Sequence, residues 1–420
     1  MAEMRWKPGQ VPSPGGALAV LTGLNLVNYL DRYVPFAVLP AMSAALSLSD
    51  PQAGALQSLF MASYMLASPF VGVLGDRTPR FRLAAVGVLV WSAATFGSGL
   101  APTFLALAAA RALTGVGEAS YVVVTPSLLS DFYPVERRGR AMAFFYAAIP
   151  IGTAAGYVLG GQIEAHFGWR SAFFVAGVPG VLLALLLLTF RDPVRGALDR
   201  AAAAPGPELT VKEALRALVA RPSYVYNTVA QTIYTFSIGG LAAWMPTYFV
   251  RVRHLKLATA STLFGGLLLL AGLLGTLFGG RVGDRMAARR ADGHFTLSAV
   301  TLILSLPFTL VAILHPSPAI FWPAMFGTLF LLFVNTGPLN ASMANVLPAD
   351  LRSRGFAVNV LAIHLGGDAV SPFIIGLASA RMGLATPVLA TGTLPVLAGL
   401  VLWAGRESLV RDLAAANPGS

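Results

Sequence analysis

The sequence predicts an all-α polytopic membrane protein, with twelve transmembrane helices in two six-helix bundles. Three observations carry that expectation. The 420 residues are 56% hydrophobic and 11% charged, with a mean hydropathy of +0.71, whereas a soluble domain carries about 25% charge. The apolar residues fall into about twelve continuous runs, each near the roughly 20 residues that a spanning helix needs. Two charged motifs recur half a chain apart. A soluble enzyme is excluded, because so little charge cannot clothe a wet surface of this size. Continuous rather than alternating apolar runs exclude a closed β-barrel. The net charge of +11 reads as loop charge on one side of a bilayer rather than as a nucleic-acid surface. The chain has no Cys, so disulfides and thiolate chemistry are excluded.

The elements follow in order. Residues 1–16 form a polar, Pro- and Gly-rich cytoplasmic tail, and the long run after it predicts a span rather than a cleaved signal. The first bundle covers 17–190, with spans near 17–42, 53–75, 83–101, 102–130, 139–163 and 170–190. Residues 191–221 form a charged linker, with a flexible spacer over Ala201 to Pro207. In it, Leu209 to Val219 has apolar residues at helical spacing, and Thr210 with Glu213 forms a capping box. This predicts a short amphipathic helix, either on the membrane surface or solvated. The second bundle covers 222–405, with spans near 222–250, 259–281, 295–314, 318–347, 355–379 and 384–405, before a cytoplasmic tail over 406–420.

With the N-terminus inside, 22 Lys and Arg face the cytoplasm and 5 face outward. That bias places both termini in the cytoplasm. Gly72-Val-Leu-Gly-Asp76-Arg77-Thr-Pro-Arg80 after the second run is echoed by Gly280-Arg-Val-Gly-Asp284-Arg285 after the eighth. Pro134-Val-Glu-Arg-Arg138 after the fourth is echoed by Pro348-Ala-Asp-Leu-Arg352 after the tenth. The offsets are 208 and 214 residues, about half the chain. Two joined bundles with a site near the bilayer midplane are the expected architecture.

Ionisable residues within spans are costly and therefore functional candidates. They are Asp31 and Arg32 in the first span, Arg111 and Glu118 in the fourth, and His364 and Asp368 in the eleventh. Arg111 and Glu118 stand two turns apart on one face. Adjacent Asp31 and Arg32 diverge by about 100° and cannot aim at one partner. The four can form one polar cluster. It would either link protonation of a carboxyl to Arg occupancy or stand as a static network neutralising buried charge. His364 and Asp368 are i and i+4, so they are either a second proton relay or an internal pair beside Gly366-Gly367. No metal-ligand spacing accompanies them, and neither a cofactor nor a metal is expected beyond the proton. Gly115 and Gly117 leave a groove for a backbone or a substrate, and Gly152, Gly156 and Gly160 read as a helix-packing stripe. The second half offers Gln231, Tyr234, Asn335 and Asn340 without charge, and Phe236, Trp244, Phe249 and Phe264 as aromatic surface. One charged wall and one neutral wall suit an amphiphile with an anionic head.

Twelve spans in a 6+6 repeat with Gly-x-x-x-Asp-Arg between the second and third resemble the major facilitator superfamily; Gly168-Trp169-Arg170 fits as well. Asn28-Tyr29-Leu-Asp31-Arg32-Tyr33, Arg111-Ala-Leu-Thr-Gly-Val-Gly-Glu118-Ala-Ser-Tyr121 and Phe145-Tyr146-Ala-Ala-Ile-Pro-Ile-Gly152 resemble the Spinster family within it. Pro79 stands where Gly is usual, and Ala287 and Ala288 depart from the loop motif in its second copy. The resemblance implies the major facilitator fold and a proton-coupled transporter moving a lysophospholipid or a sphingosine-phosphate-like lipid by alternating access. It implies proton sites at Asp31 and Glu118 and head-group contacts at Arg32 and Arg111. Tyr29, Tyr121 and Tyr146 join the cavity wall. Asp76, Arg77, Arg80, Arg138, Asp284, Arg285 and Arg352 would form a cytoplasmic gate. A drug or organic-anion transporter on the same fold is the alternative, and a membrane enzyme or non-transporting sensor a remote one. The expected setting is a cytoplasmic membrane, with a monomer among membrane lipids and no nucleic-acid partner.

Overall fold

The computed structural model describes residues 9–196, 198 and 210–416. The polar residues 1–8 and the expected spacer at 201–207 lie outside them. Contacts divide the chain into two compact units, Met1–Ala203 with His254–Gly265, and Ala204–Arg253 with Gly266–Ser420.

The first unit holds α1 (Pro14–Ala45), α2 (Asp50–Arg77), α3 (Arg80–Leu100), α4 (Phe104–Phe132), α5 (Val135–Tyr146), α6 (Ala148–Phe167) and α7 (Trp169–Leu188). Local chemistry sets the starts. Ser49 caps α2 in a reciprocal box with Gln52, and Thr103 accepts from the amide of Ala106 at the start of α4. The fifth predicted span is two helices, broken at Ala147. Pro150, one turn on, has no N–H to offer the Tyr146 carbonyl, so the ladder is interrupted there. Gly168, at φ 78°, ends α6 in a conformation that side chains disfavour. The core packs Phe81, Trp91, Leu128, Phe132 and Phe190.

The second unit begins with α8 (Val211–Val219), the short linker helix, whose Thr210–Glu213 capping box is present. There follow α9 (Pro222–Arg251), α10 (Leu257–Arg289), α11 (Gly293–Leu314), α12 (Pro318–Phe333), α13 (Thr336–Val346), α14 (Ala349–Ile363), α15 (Ser371–Met382), α16 (Ala385–Ala404) and α17 (Arg406–Ala416). The start of α10, through Gly265, belongs to the first unit. The expected tenth span is also two helices. Pro338 withholds a donor from the Val334 carbonyl, and that bulge of backbone lies where a Cβ on Gly279 would sit. The eleventh span is interrupted by a π-helical turn over His364–Asp368, with Gly367 at φ −111°, ψ −108°. Gly239 on α9 lets that turn approach, because a Cβ there would meet Asp368. The last expected segment is not only a tail: Arg406–Ala416 is helical, and Asp412 accepts from the Ser223 amide at 2.9 Å, capping α9. Tyr224, Phe295, Leu302, Met343 and Leu402 fill this unit's core.

Ten helical stretches among the described residues are long and apolar enough to cross a membrane. Helices α1 and α9, at 32 and 30 residues, complete the twelve; both bury polar residues, Asn25, Asn28 and Asp31 on the first and Asn227, Gln231 and Ser237 on the second. Large apolar side chains stand exposed along the spans, among them Leu66, Phe70, Leu105 and Leu182. Such a surface is stable against lipid and not against water. The chain is an all-α, multi-pass membrane protein.

Candidate functional site

The predicted polar cluster assembles inside the first unit. On α1, Arg32 donates through Nη2 to Glu118 Oε2 at 2.6 Å and through Nε at 3.2 Å. Glu118, on α4, is fully buried, whereas 13% of the Arg32 side chain remains exposed. Asp31 turns away from this pair, as adjacent positions on a helix must. It accepts from the Thr95 hydroxyl on α3 at 3.4 Å, and the Trp91 indole faces it. Arg111 is 1% exposed, and neither terminal nitrogen has a hydrogen-bond partner among the described residues. It lies within electrostatic reach of both Glu118 and Asp31. A buried guanidinium held by charge but not by hydrogen bonds retains unspent donor capacity.

Aromatic rings complete the enclosure. Phe60 on α2 lies under both cations, 5.1 Å from Arg32 and 4.7 Å from Arg111. Tyr29 and Tyr64 flank Arg32 at 5.0 and 5.4 Å. Such faces attract cations by their quadrupoles. The glycine groove is filled by backbone: a Cβ on Gly117 would stand 2.6 Å from the Trp91 amide, and one on Gly115 would meet the Phe60 carbonyl. Close approach of α2 and α3 to α4 thus sets the positions of Phe60, Trp91 and Thr95. Gly152 and Gly156 similarly admit the Leu26 and Leu30 carbonyls of α1 against α6.

Sequence reasoning missed Phe60, Tyr64, Trp91 and Thr95, which carry no formal charge. It also missed Asn28, fully buried one turn before Asp31, with neither side-chain atom hydrogen-bonded among the described residues. The i, i+4 spacing of Phe60 and Tyr64 is the one signal that could have found part of this set.

The other expected wall residues make contacts within their own units. Tyr121 is buried edge-on to Trp91, and its hydroxyl donates to the Leu21 carbonyl. Asn335 donates to the Leu331 and Leu332 carbonyls, repairing the break between α12 and α13. Gln231 donates to Asn227 at 2.8 Å. Asn340 is exposed and donates to the Thr336 carbonyl one turn before it. Tyr146 is 48% exposed and packs on Phe145, and Tyr234 packs against the second unit's core. The expected aromatic surface is largely absent: Trp244, Phe249 and Phe264 are fully buried, Trp244 donating to the Pro372 carbonyl. His364 and Asp368 meet each other at 2.8 Å across the π turn. Among the described residues no three His, Asp or Glu side chains converge to hold a metal ion.

The expected gate residues divide. Arg80 is 5% exposed and pairs with Asp131 of α4 at 2.5 Å. Asp192, beyond α7, accepts from the amides of Arg80 and Phe81 and caps α3. Arg195 donates to the Gly75, Asp76 and Thr78 carbonyls, closing the end of α2. Arg138 donates to the Ser130 carbonyl. Arg80, Asp131, Arg138 and Arg195 line a cavity of about 520 Å³. The side chains of Asp76 and Arg77 are exposed. The second copy lacks the buried pair: the repeat offsets place Ala288 against Arg80 and Asn345 against Asp131. There Asp284 is 82% exposed and reaches His294 at 3.9 Å, Arg285 is exposed, and Arg352 donates weakly to the Leu347 carbonyl. In the adjoining loop Arg290 clasps Asp292 at 2.6 and 2.8 Å, holding that carboxyl below its ordinary range.

A bundle of membrane-spanning helices with a charge cluster across α1 and α4 is the anatomy of a secondary transporter, and residues 21–370 match the Major Facilitator Superfamily. The human protein spinster homolog 1 is 34% identical over 399 residues, covering 88% of this chain and 74% of the relative. Protein spinster homolog 3 of Danio rerio is 33% identical, covering 86% of this chain and 76% of the relative. A crystal structure of a bacterial homolog of the human lysosomal transporter Spinster, inward-facing and unoccupied, matches with a TM-score of 0.86. It is 22% identical and covers 95% of this chain and 98% of that one. A D-xylose–proton symporter matches at 0.73, with 17% identity over 92% of this chain and 96% of that one. The chain belongs to the Spinster family of major facilitator transporters.

Proposed function

We propose that this transporter moves a single-chain anionic or zwitterionic lysolipid by alternating access, coupled to protons. One observation carries the reading: two cations, Arg32 and Arg111, are set against two carboxylates, Asp31 and Glu118, and Arg111 has hydrogen-bonding capacity left over. Protonating either carboxyl leaves a guanidinium short of countercharge. A phosphate can then take that place through charge-assisted, bidentate bonds. Proton and substrate thereby become linked through the same Arg. The lipid class follows the resemblance to the Spinster family, and the anionic head follows the two cations gathered with two carboxylates in the first unit. Liposome flux of a lysophospholipid with and without an imposed pH gradient tests it. The gradient is expected to accelerate net flux of the phosphate-headed lipid and not of a neutral monoacylglycerol. Equal flux of both lipids under both conditions overturns it.

The proposed orientation has both termini in the cytoplasm, on the 22-to-5 bias of Lys and Arg. The native chain has no Cys, so single cysteines report cleanly. One at exposed Ala415 is expected to label from the cytoplasmic side only, and one at exposed Ala45 from outside only. The reverse pattern inverts the topology.

A further inference from the structure

Helix α8 presents three different surfaces, and the function above uses none of them. Ala214 and Leu218 are buried against the second unit, with Leu218 reaching toward Gly355 of α14. The next stripe is apolar and exposed: Val211 at 78%, Leu215 at 41% and Val219 at 67%. At about 100° per residue these three cover about 80° of arc beside the buried stripe. Lys212 and Arg216 follow at the outer edge of that stripe, and both are exposed. Glu213 lies farther round and is engaged in the cap with Thr210.

We propose that α8 seats its Val211–Leu215–Val219 stripe in the adjoining bilayer leaflet, with Lys212 and Arg216 on the phosphates of anionic lipids. The occupant follows from position and charge. Pro222, three residues past Val219, opens membrane-spanning α9, so α8 stands at the bilayer edge. An apolar stripe bordered by long basic side chains is the layout of an interfacial helix, because Lys and Arg can lie along apolar surface while keeping their charge at head-group level. Arg221 turns back to the Ala217 carbonyl and closes the helix instead. With one stripe on α9 and α14 and the other in lipid, α8 couples the second unit to the composition of that leaflet.

The test uses the full chain in vesicles, with a single fluorophore at Val219→Cys or at Ala220→Cys. These neighbours share a depth along the helix and differ by about 100° in direction. In vesicles of three parts phosphatidylcholine to one of phosphatidylglycerol, lipids spin-labelled near the head group are expected to quench the Val219 probe at least twofold more than the Ala220 probe. Lys212→Gln with Arg216→Gln, or pure phosphatidylcholine, is expected to reduce that difference. Equal, weak quenching at both positions with full access to aqueous iodide means a solvated helix and overturns the proposal. Shielding of Val219 from both lipid and aqueous quenchers means a protein partner and also overturns it. The readout needs no transport, so it stands or fails separately from the lysolipid assignment.

Discussion

Glu118→Gln is expected to abolish gradient-driven flux of the lysolipid while leaving substrate exchange largely intact. The substitution keeps shape and one hydrogen-bond acceptor for Arg32, but removes the charge 2.6 Å from its Nη2. Glu118 is fully buried, so no solvent replaces it. Breaking a buried ion pair on one side costs about 3–5 kcal/mol, and part of that cost is expected as a lower melting temperature. A site that cannot release a proton cannot couple one, whereas exchange needs no net proton movement. Asp31→Asn is expected to act in the same direction. Flux measured in liposomes with a pH gradient, beside counterflow without one, separates coupling from collapse. Full gradient-driven flux in both variants would exclude both acids and move attention to His364 and Asp368.

Asp131→Ala is expected to be the most destabilising change at the expected gate, and Asp76→Ala among the least. Arg80 is 5% exposed and has Asp131 at 2.5 Å. Removing that carboxylate strands a buried guanidinium, at about 3–5 kcal/mol. Asp192 remains near Arg80 Nε at 3.5 Å but is already occupied capping α3. Asp131 also holds the Gly196 amide, so the chain leaving α7 loses an anchor as well. The Asp76 side chain is exposed, and surface changes of that kind usually stay within about 0.5 kcal/mol. Thermal unfolding of the purified full chain checks the contrast. Equal losses in the two variants would place the structural weight on the loop motif rather than on the pair beneath it.

The fold was legible because membrane spans announce themselves by length and composition alone. The capping box at Thr210 and Glu213 was legible because its two partners are three residues apart. The charge cluster was legible because a charge within a span is rare. What escaped was of two kinds. Neutral partners such as Trp91 and Thr95 look like any other span residue until α3 is laid against α4. Long-range polar contacts also escaped: Arg80 pairs with Asp131 across 51 residues, the Phe81 amide donates to Asp192 across 111, and nothing in either segment names its partner. The helix breaks after Tyr146 and Phe333 could have been inferred from Pro150 and Pro338, each withholding one donor from the carbonyl four residues before it. That Tyr121 and Asn335 donate to backbone carbonyls is also not legible, because polar side chains in a span can face a cavity or repair backbone, and the sequence does not distinguish the two.

The two-against-two balance of Arg32 and Arg111 with Asp31 and Glu118 has an electrical consequence. The cluster is neutral when all four groups are ionised. Under the proposed function, one proton with one singly charged anion leaves the loaded cluster neutral again. The loaded carrier then crosses between its states without displacing net charge, and the membrane potential does no work on it. A zwitterionic substrate carried with the same proton would move one positive charge. That transfer is biased by about 2.3 kcal/mol per 100 mV. Head-group charge would therefore decide whether this carrier feels voltage at all.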